Sequence, residues 1–212
     1  MILMMKIKTV ASQPDMAGRH MVRFEDGSVM RLYRQTVEDF GLYPGKELTE
    51  QEYLDLTSAA GAMSAKMRAV RIVSAGSVSV RSLEYRLIQK GESPEHAKAA
   101  VQWMEDHDLV DDLKTAQQVV ERCIHKGYGL ARAKQALYEK RIPKEYWQEV
   151  LADYPDQAGA VMEFLRDRLG DTWTDKDLKK VIDALLRRGH NYGTIRAALE
   201  QLSIDADLFP EE

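Results

Sequence analysis

The sequence predicts a mostly α-helical chain: three tandem three-helix repeats forming an elongated, curved array, preceded by a small N-terminal β-containing domain. Three observations predict it. Two-residue alternation of apolar side chains stops near residue 60, and beyond 64 they recur at steps of three and four, the helical period. Segments 80–104, 130–154 and 178–202 align with one another at offsets of 50 and 48 residues. The 212 residues are 44% hydrophobic and 30% charged, a balance that suits folded domains and opposes global disorder.

The elements follow in chain order. Ile7 and Val10 mark a first strand and Met21–Phe24 a second. Glu25-Asp26-Gly27-Ser28 supplies a hairpin turn, because Asp-Gly tolerates positive φ, and 29–33 returns as a third strand. A short helix over 36–40 ends at Gly41, a turn covers 42–48, and Thr49 with Glu52 forms a capping box that opens another helix. Residues 1–60 thus read as a meander with short helices. Three repeats are expected over 64–111, 112–155 and 156–204, each led by a helix, at 64–75, 112–125 and 156–169. The alignment matches Leu87 with Leu137 and Leu185, Lys90 with Lys140 and Arg188, Ala97 with Trp147 and Ile195, and Val101 with Leu151 and Leu199. Trp147 and Leu151 read as core. Gly91, Gly127, Gly129, Gly170 and Gly189 sit where helices should stop, and Pro94 and Pro143 where they should start. Residues 205–212 carry four acids and no base and are expected to fray.

Composition excludes several classes. One cysteine, Cys123, rules out an internal disulfide and any zinc site needing two thiolates. No apolar run reaches the ~18 residues of a membrane span, and the apolar Met1–Met5 is too short for a signal peptide, so a reducing cytoplasmic setting is expected. The net charge of −4 opposes strong non-specific affinity for nucleic acid. It is unevenly spread: −2 over 1–65, +2 over 66–204 and −4 over 205–212.

No catalytic constellation is visible. None of His20, His96, His107, His125 and His190 stands three or four residues from another histidine or from the cysteine. Glu105-Asp106-His107-Asp108 could offer metal ligands, but it reads better as the polar end of one helix, with an Asp N-cap for the next at Asp111 or Asp112. Cys123 reads as a packed core thiol. Gly127-Tyr128-Gly129 lacks the preceding strand and third glycine of a dinucleotide fingerprint. No enzyme activity, cofactor, metal or small-molecule substrate is expected.

The cations are more informative. Arg122 and Lys126 precede Gly127-Tyr128-Gly129, and Arg132 and Lys134 follow it. One corner between helices thereby gathers four cations, a tyrosine expected to be exposed and two glycines expected to be flexible. Lys176, Lys179, Lys180 and Arg187 line the flank of a later helix that Arg188 ends. These residues can contact phosphates or an acidic protein groove; they also fit a solvated helix face whose cations favour helix C-termini.

Several segments then resemble the RecX family, regulators of the bacterial RecA recombinase. Arg122 with Lys126-Gly127-Tyr128-Gly129, Arg132 and Leu137 is similar to that family's R…KGxG…R…L motif. Leu109-Val110-Asp111-Asp112 resembles its corner into the second repeat, and Leu185-Leu186-Arg187-Arg188-Gly189 with Tyr192, Ile195 and Leu199 its closing segment. Gly41-Leu42-Tyr43-Pro44-Gly45-Lys46-Glu47-Leu48-Thr49-Glu50-Gln51-Glu52 resembles the end of its N-terminal domain. The chain departs from the pattern at Ser82, at Glu92 and His190 where an aromatic is usual, at Arg141 where glycine is usual, and at Thr115. The resemblance implies a non-enzymatic regulator that lies in the groove of the RecA filament on single-stranded DNA and inhibits ATP hydrolysis and strand exchange; a monomer is expected. Weak direct DNA contact is also implied, and no membrane. A direct DNA-binding helical protein, independent of recombinase, is the main alternative.

Overall fold

The computed structural model describes residues 4–170, 172–202 and 204; the acidic segment 205–212 lies outside them. The chain divides into two compact units, one of Met1–Gly76 with Leu83–Leu109, the other of Ser77–Ser82 with Val110–Glu212.

The first unit opens with strands β1 (Met5–Val10), β2 (Arg19–Phe24) and β3 (Val29–Tyr33). The β2–β3 turn forms as expected: the Asp26 carboxylate accepts from the Ser28 N–H and hydroxyl, at 2.9 and 2.7 Å. A short helix α1 (Arg34–Asp39) leads to a two-residue strand β4 (Glu47–Leu48), where the sequence shows only a turn. β4 pairs with β1, giving an antiparallel sheet in the order β3-β2-β1-β4. One sheet face buries Ile7, Val22, Phe24, Leu32 and Leu48 against Leu56. Removing each such side chain from water is worth about 1.5–3 kcal/mol.

Leu56 belongs to helix α2 (Glu50–Ser74), opened by the expected Thr49–Glu52 capping box. Two helices were expected here, split between residues 60 and 64; one continuous helix stands instead. Gly61 does not end it, because His96 of helix α4 (Pro94–Asp106) fills the space beside it. A Cβ at Gly61 would lie 2.4 Å from that imidazole. The side chain of Glu92, buried where the family pattern has an aromatic, accepts from Arg68 at 2.7 Å and from Ser64 at 3.0 Å. Helix α3 (Val80–Gln89) begins in the second unit and continues in the first.

The second unit holds α5 (Asp112–His125), α6 (Leu130–Glu139), a 3-10 turn (Lys144–Tyr146), α7 (Trp147–Leu151), α8 (Ala158–Leu169), α9 (Asp175–Arg187) and α10 (Tyr192–Gln201). Asp111 is the N-cap of α5, and Thr174 with Asp177 makes a capping box for α9. Ala116, Val119, Val120, Leu137 and Ile142 form one core. Val161, Leu165, Leu178, Leu185, Ile195 and Leu199 are central to another. Trp147 and Leu151 are half-buried against the first core rather than within it. Among the described residues no helix is long and apolar enough to cross a membrane.

The ends of α3, α6 and α9 share one geometry. Gly91, Arg141 and Gly189 take left-handed φ of 90°, 56° and 84°. The following N–H then donates back to the carbonyl of Leu87, Leu137 or Leu185, at 3.1, 3.0 and 3.2 Å. This arrangement satisfies the last carbonyls of each helix, and the three leucines it reaches are all fully buried.

Asp108, after α4, is the other non-glycine with positive φ, at 54°, among the described residues. An L side chain there costs roughly 1–2 kcal/mol, partly returned by glycine's larger entropy loss. Asp108→Gly should therefore raise the unfolding free energy by about 0.5–1 kcal/mol in urea titrations. A lower value would show that the carboxylate stabilises the turn.

Candidate functional site: a cationic corner of the second unit

The corner is made by two turns that meet at the backbone. α5 ends through Gly127 (φ +59°), with the Tyr128 N–H donating to the Cys123 carbonyl at 2.9 Å, and α6 starts from Gly129. Across from it runs Arg188-Gly189-His190, which joins α9 to α10. The Gly129 N–H donates to the Arg188 carbonyl at 2.9 Å. A Cβ on Gly129 would lie 2.0 Å from the Gly189 carbonyl oxygen, and one on Gly189 would lie 2.2 Å from the Arg132 nitrogen. Gly129 was expected to be flexible; it is buried and locked by contact on both sides.

Side chains complete the lock. The Arg188 guanidinium lies 4.9 Å from the ring centres of both Tyr128 and Phe164 and donates to the Lys126 carbonyl at 2.5 Å. Its Nε is buried without a hydrogen-bond partner. His190 Nε2 donates to the Gly127 carbonyl at 3.1 Å, and the Tyr154 hydroxyl donates to the Tyr128 carbonyl at 2.5 Å. Burial pushes the Tyr154 phenol up to about 12. Tyr128, expected to be exposed, is half-buried under Arg188.

The remaining cations sort by what holds them. Arg132 pairs with Glu139 at 2.9 Å, which raises the guanidinium's pKa and holds the carboxyl below its usual range. Lys180 pairs with Asp177 at 3.1 Å. Arg122, Lys126 and Lys134 are exposed, as are Lys176, Lys179 and Arg187 on α9, and none of these six makes an ion pair among the described residues. A cleft of about 370 Å³ opens beside the corner, lined in part by Leu130, Lys134, Tyr154, His190 and Thr194. The first N–H groups of α6, at this cleft, have no side-chain cap. The arrangement presents positive charge on a rigid frame.

The other candidates are accounted for locally. Cys123 is buried at 5% exposure, and burial pushes its thiol up, away from the reactive thiolate. His107 Nδ1 donates to the Trp103 carbonyl at 2.7 Å, and Asp106 accepts from Gln102 at 3.0 Å. Sequence reasoning missed Phe164, Tyr154 and the role of His190. The pairing of Gly129 with Gly189 was the available signal, since two small residues ending different helices can mark a backbone contact.

No family model matches the chain. Over 140 residues it is 26% identical to the regulatory protein RecX of Vibrio parahaemolyticus, covering 65% of this chain and 90% of that protein. Over 123 residues it is 31% identical to the regulatory protein RecX of Xanthomonas axonopodis pv. citri, covering 57% of this chain and 76% of that one. The chain belongs to the RecX family. A RecX crystal structure superposes with a TM-score of 0.63 at 18% identity, covering 92% of this chain and 99% of that one, so the fold is the family's own. The RecX fold places the departures named above in definite contacts: Glu92 in an ion pair, Arg141 at a helix end and His190 in the lock.

Two outcomes test this corner. Gly129 has an ordinary φ of −73°, so the main effect of Gly129→Ala is the overlap with the backbone of Gly189 and His190. Chemical unfolding should show a loss of about 3 kcal/mol or more; a loss under ~1 kcal/mol would mean the turns separate easily. The pKa of His190 is lowered, mainly by burial with Arg188 adding to it, while the Gly127 carbonyl opposes the shift. The unfolded chain therefore takes up this proton first. Stability from neutral His190 is complete above the usual value of 6.5 and is lost as pH falls towards the lowered folded value. His190→Asn should flatten the decline in unfolding free energy between about pH 7 and 5. A slope equal to the parent's would remove His190 from the lock.

Proposed function

We propose that this chain is a non-enzymatic regulator that binds the RecA recombinase filament on single-stranded DNA and inhibits its ATP hydrolysis and strand exchange. It thereby limits recombination and the SOS response in the cytoplasm. The observation that carries the reading is the locked corner of a RecX-family chain, which holds Arg122, Lys126 and Lys134 exposed and unpaired. Gly127, Tyr128, Gly129, Arg132 and Arg188 form the frame beneath them; Lys176, Lys180 and Arg187 extend the cationic surface along α9. The partner surface is acidic protein, with weak DNA contact secondary, as the net charge of −4 favours.

Three helical repeats over 64–111, 112–155 and 156–204 suit a filament, because a monomer with repeated surfaces can touch several protomers and gain by multivalency. The shared helix ends at Gly91, Arg141 and Gly189 support that division. In this reading residues 1–60 are the N-terminal domain, joined to the first repeat through the continuous helix α2.

The test is DNA-dependent ATP hydrolysis by the cognate recombinase, with this chain titrated in below one molecule per protomer. Inhibition at that ratio is expected; none at excess would overturn the reading. Arg122→Glu/Lys126→Glu/Lys134→Glu should raise the half-inhibiting concentration about tenfold or more, a loss of roughly 1.4 kcal/mol in binding. Arg132 is left in place because its pair with Glu139 ties α6 together. Unchanged inhibition by the folded triple variant would remove the corner from the contact.

A further inference from the structure

A second groove of the second unit, about 560 Å³, shares no lining residue with the corner cleft. Its apolar wall is Tyr138, Ile142 and Trp147, and Arg81, Arg141 and Lys144 complete the lining with Glu139. Tyr138 is 67% exposed, the most exposed aromatic residue among the described ones. The Trp147 indole N–H donates to the Ile142 carbonyl at 3.1 Å, which fixes the ring as part of the wall. Arg81, Arg141 and Lys144 are all exposed. Glu139 is already taken by Arg132 at 2.9 Å and Gln135 at 3.3 Å, so the lining is left positive. Arg141 holds φ +56° at the helix end where Gly91 and Gly189 stand in the matched positions, so a cation stands at this rim where glycine would suit the backbone. An occupant that uses all of this surface combines apolar side chains with several acids.

The chain carries such a segment. Residues 205–212 read Asp-Ala-Asp-Leu-Phe-Pro-Glu-Glu: four acids and no base, with Leu208, Phe209 and Pro210 between them. Ile204, just before it, packs against the core of α8, α9 and α10, and its N–H donates to the Leu199 carbonyl at 3.0 Å. From that anchor eight residues span up to about 27 Å. A folded unit of on the order of 100 residues has a radius of gyration of about 13 Å, so the segment can reach across much of the unit that holds the groove. Tethering gives it an effective concentration in roughly the millimolar range, above that of a second copy in a micromolar solution. The other cationic surfaces of this unit match it less well. The apolar side of α9 is spent in the core, so its lysines offer charge without an apolar wall, and the corner cleft includes Asp156 in its lining.

We propose that this groove is the docking site of the chain's own segment 205–212, with Leu208 and Phe209 against Tyr138, Ile142 and Trp147 and the acids facing Arg81, Arg141 and Lys144. The docked segment closes the groove to other ligands and offsets its charge, and added salt releases it by screening. The contact goes beyond the filament reading and does not depend on it.

The experiment places a nitroxide on Glu212→Cys in the full chain, with the buried Cys123 left unmodified, and follows paramagnetic broadening by NMR. Intensity should be lost at the amides of residues 138–144 and at the Trp147 indole N–H. In a mixture of nitrogen-15 chains without nitroxide and unenriched chains carrying it, no broadening is expected. Phe209→Ala should lower the ratio of docked to free segment about tenfold or more, the effect of one buried aromatic side chain. Arg141→Gly should lower it about 1.5- to 5-fold, the range of one exposed ion pair, in a chain that stays folded because glycine suits this backbone. Asp205→Asn/Asp207→Asn/Glu211→Gln should remove the fall of that ratio with added salt. No broadening around 138–147, broadening centred on Lys176 and Lys179, equal broadening in the mixture, or a ratio for Phe209→Ala equal to the parent's would overturn the proposal. The sample holds no recombinase, so failure here would leave the filament reading standing, and absent inhibition would overturn that reading alone.

Discussion

The second unit is organised by a backbone contact that no side chain can enter. Gly129 and Gly189 meet so closely that a single methyl group on either would overlap the opposite main chain. Three side chains then donate to successive carbonyls of one turn: Arg188 to Lys126, His190 to Gly127 and Tyr154 to Tyr128. Each bond alone is worth about 0.5–1.5 kcal/mol net. The larger effect is the asymmetry, because a buried carbonyl stripped of its donor costs roughly 1–3 kcal/mol. The turn is therefore held as a set, and α5, α6, α9 and α10 take their relative placement from it.

This lock also decides which cations are available. Arg188 is partly desolvated, with a buried unpaired Nε, and is compensated by one carbonyl and two ring faces. Such ring contacts contribute about 0.5–2 kcal/mol depending on desolvation. Arg132 is committed to Glu139. What remains solvated and without an ion pair at the corner are Arg122, Lys126 and Lys134. Frame and surface are thus separate sets of residues, although Arg122, Lys126, Arg132 and Lys134 read as cations of one corner in the sequence.

That separation marks what was legible. Helix period, capping residues and glycine stops place α5, α8 and the β1–β3 strands, because these are short-range properties of the backbone. β4 was illegible, since Glu47 and Leu48 are a strand only through pairing with Met5 and Lys6. The continuity of α2 was hidden by the change of apolar pattern near residue 60, which read as a boundary; Gly61 lies within the helix and admits His96 from another one. Trp147 and Leu151 took core assignments from their alignment with Ala97 and Val101, yet they stand on a five-residue helix beside a groove and are half-buried. That Arg122, Lys126 and Lys134 flank one turn is plain from their spacing; the covering of Tyr128 by Arg188 is not, because those residues are far apart in the chain.

The three matched helix ends carry the last step. They reach buried leucines by the same backward hydrogen bond, so their geometry is a requirement of packing rather than of any ligand. Glycine meets that requirement with least strain, and Gly91 and Gly189 do so. At Gly189 the small residue is demanded twice, since Arg132 presses on it. Arg141 meets the same backbone requirement with a long cationic side chain, at a cost of roughly 1–2 kcal/mol. Backbone strain of this kind points outward, to what the side chain meets at the surface. Arg141 is exposed at the edge of the groove that Tyr138, Ile142 and Trp147 line, so the strained backbone sits at the surface of the second unit and not in its core.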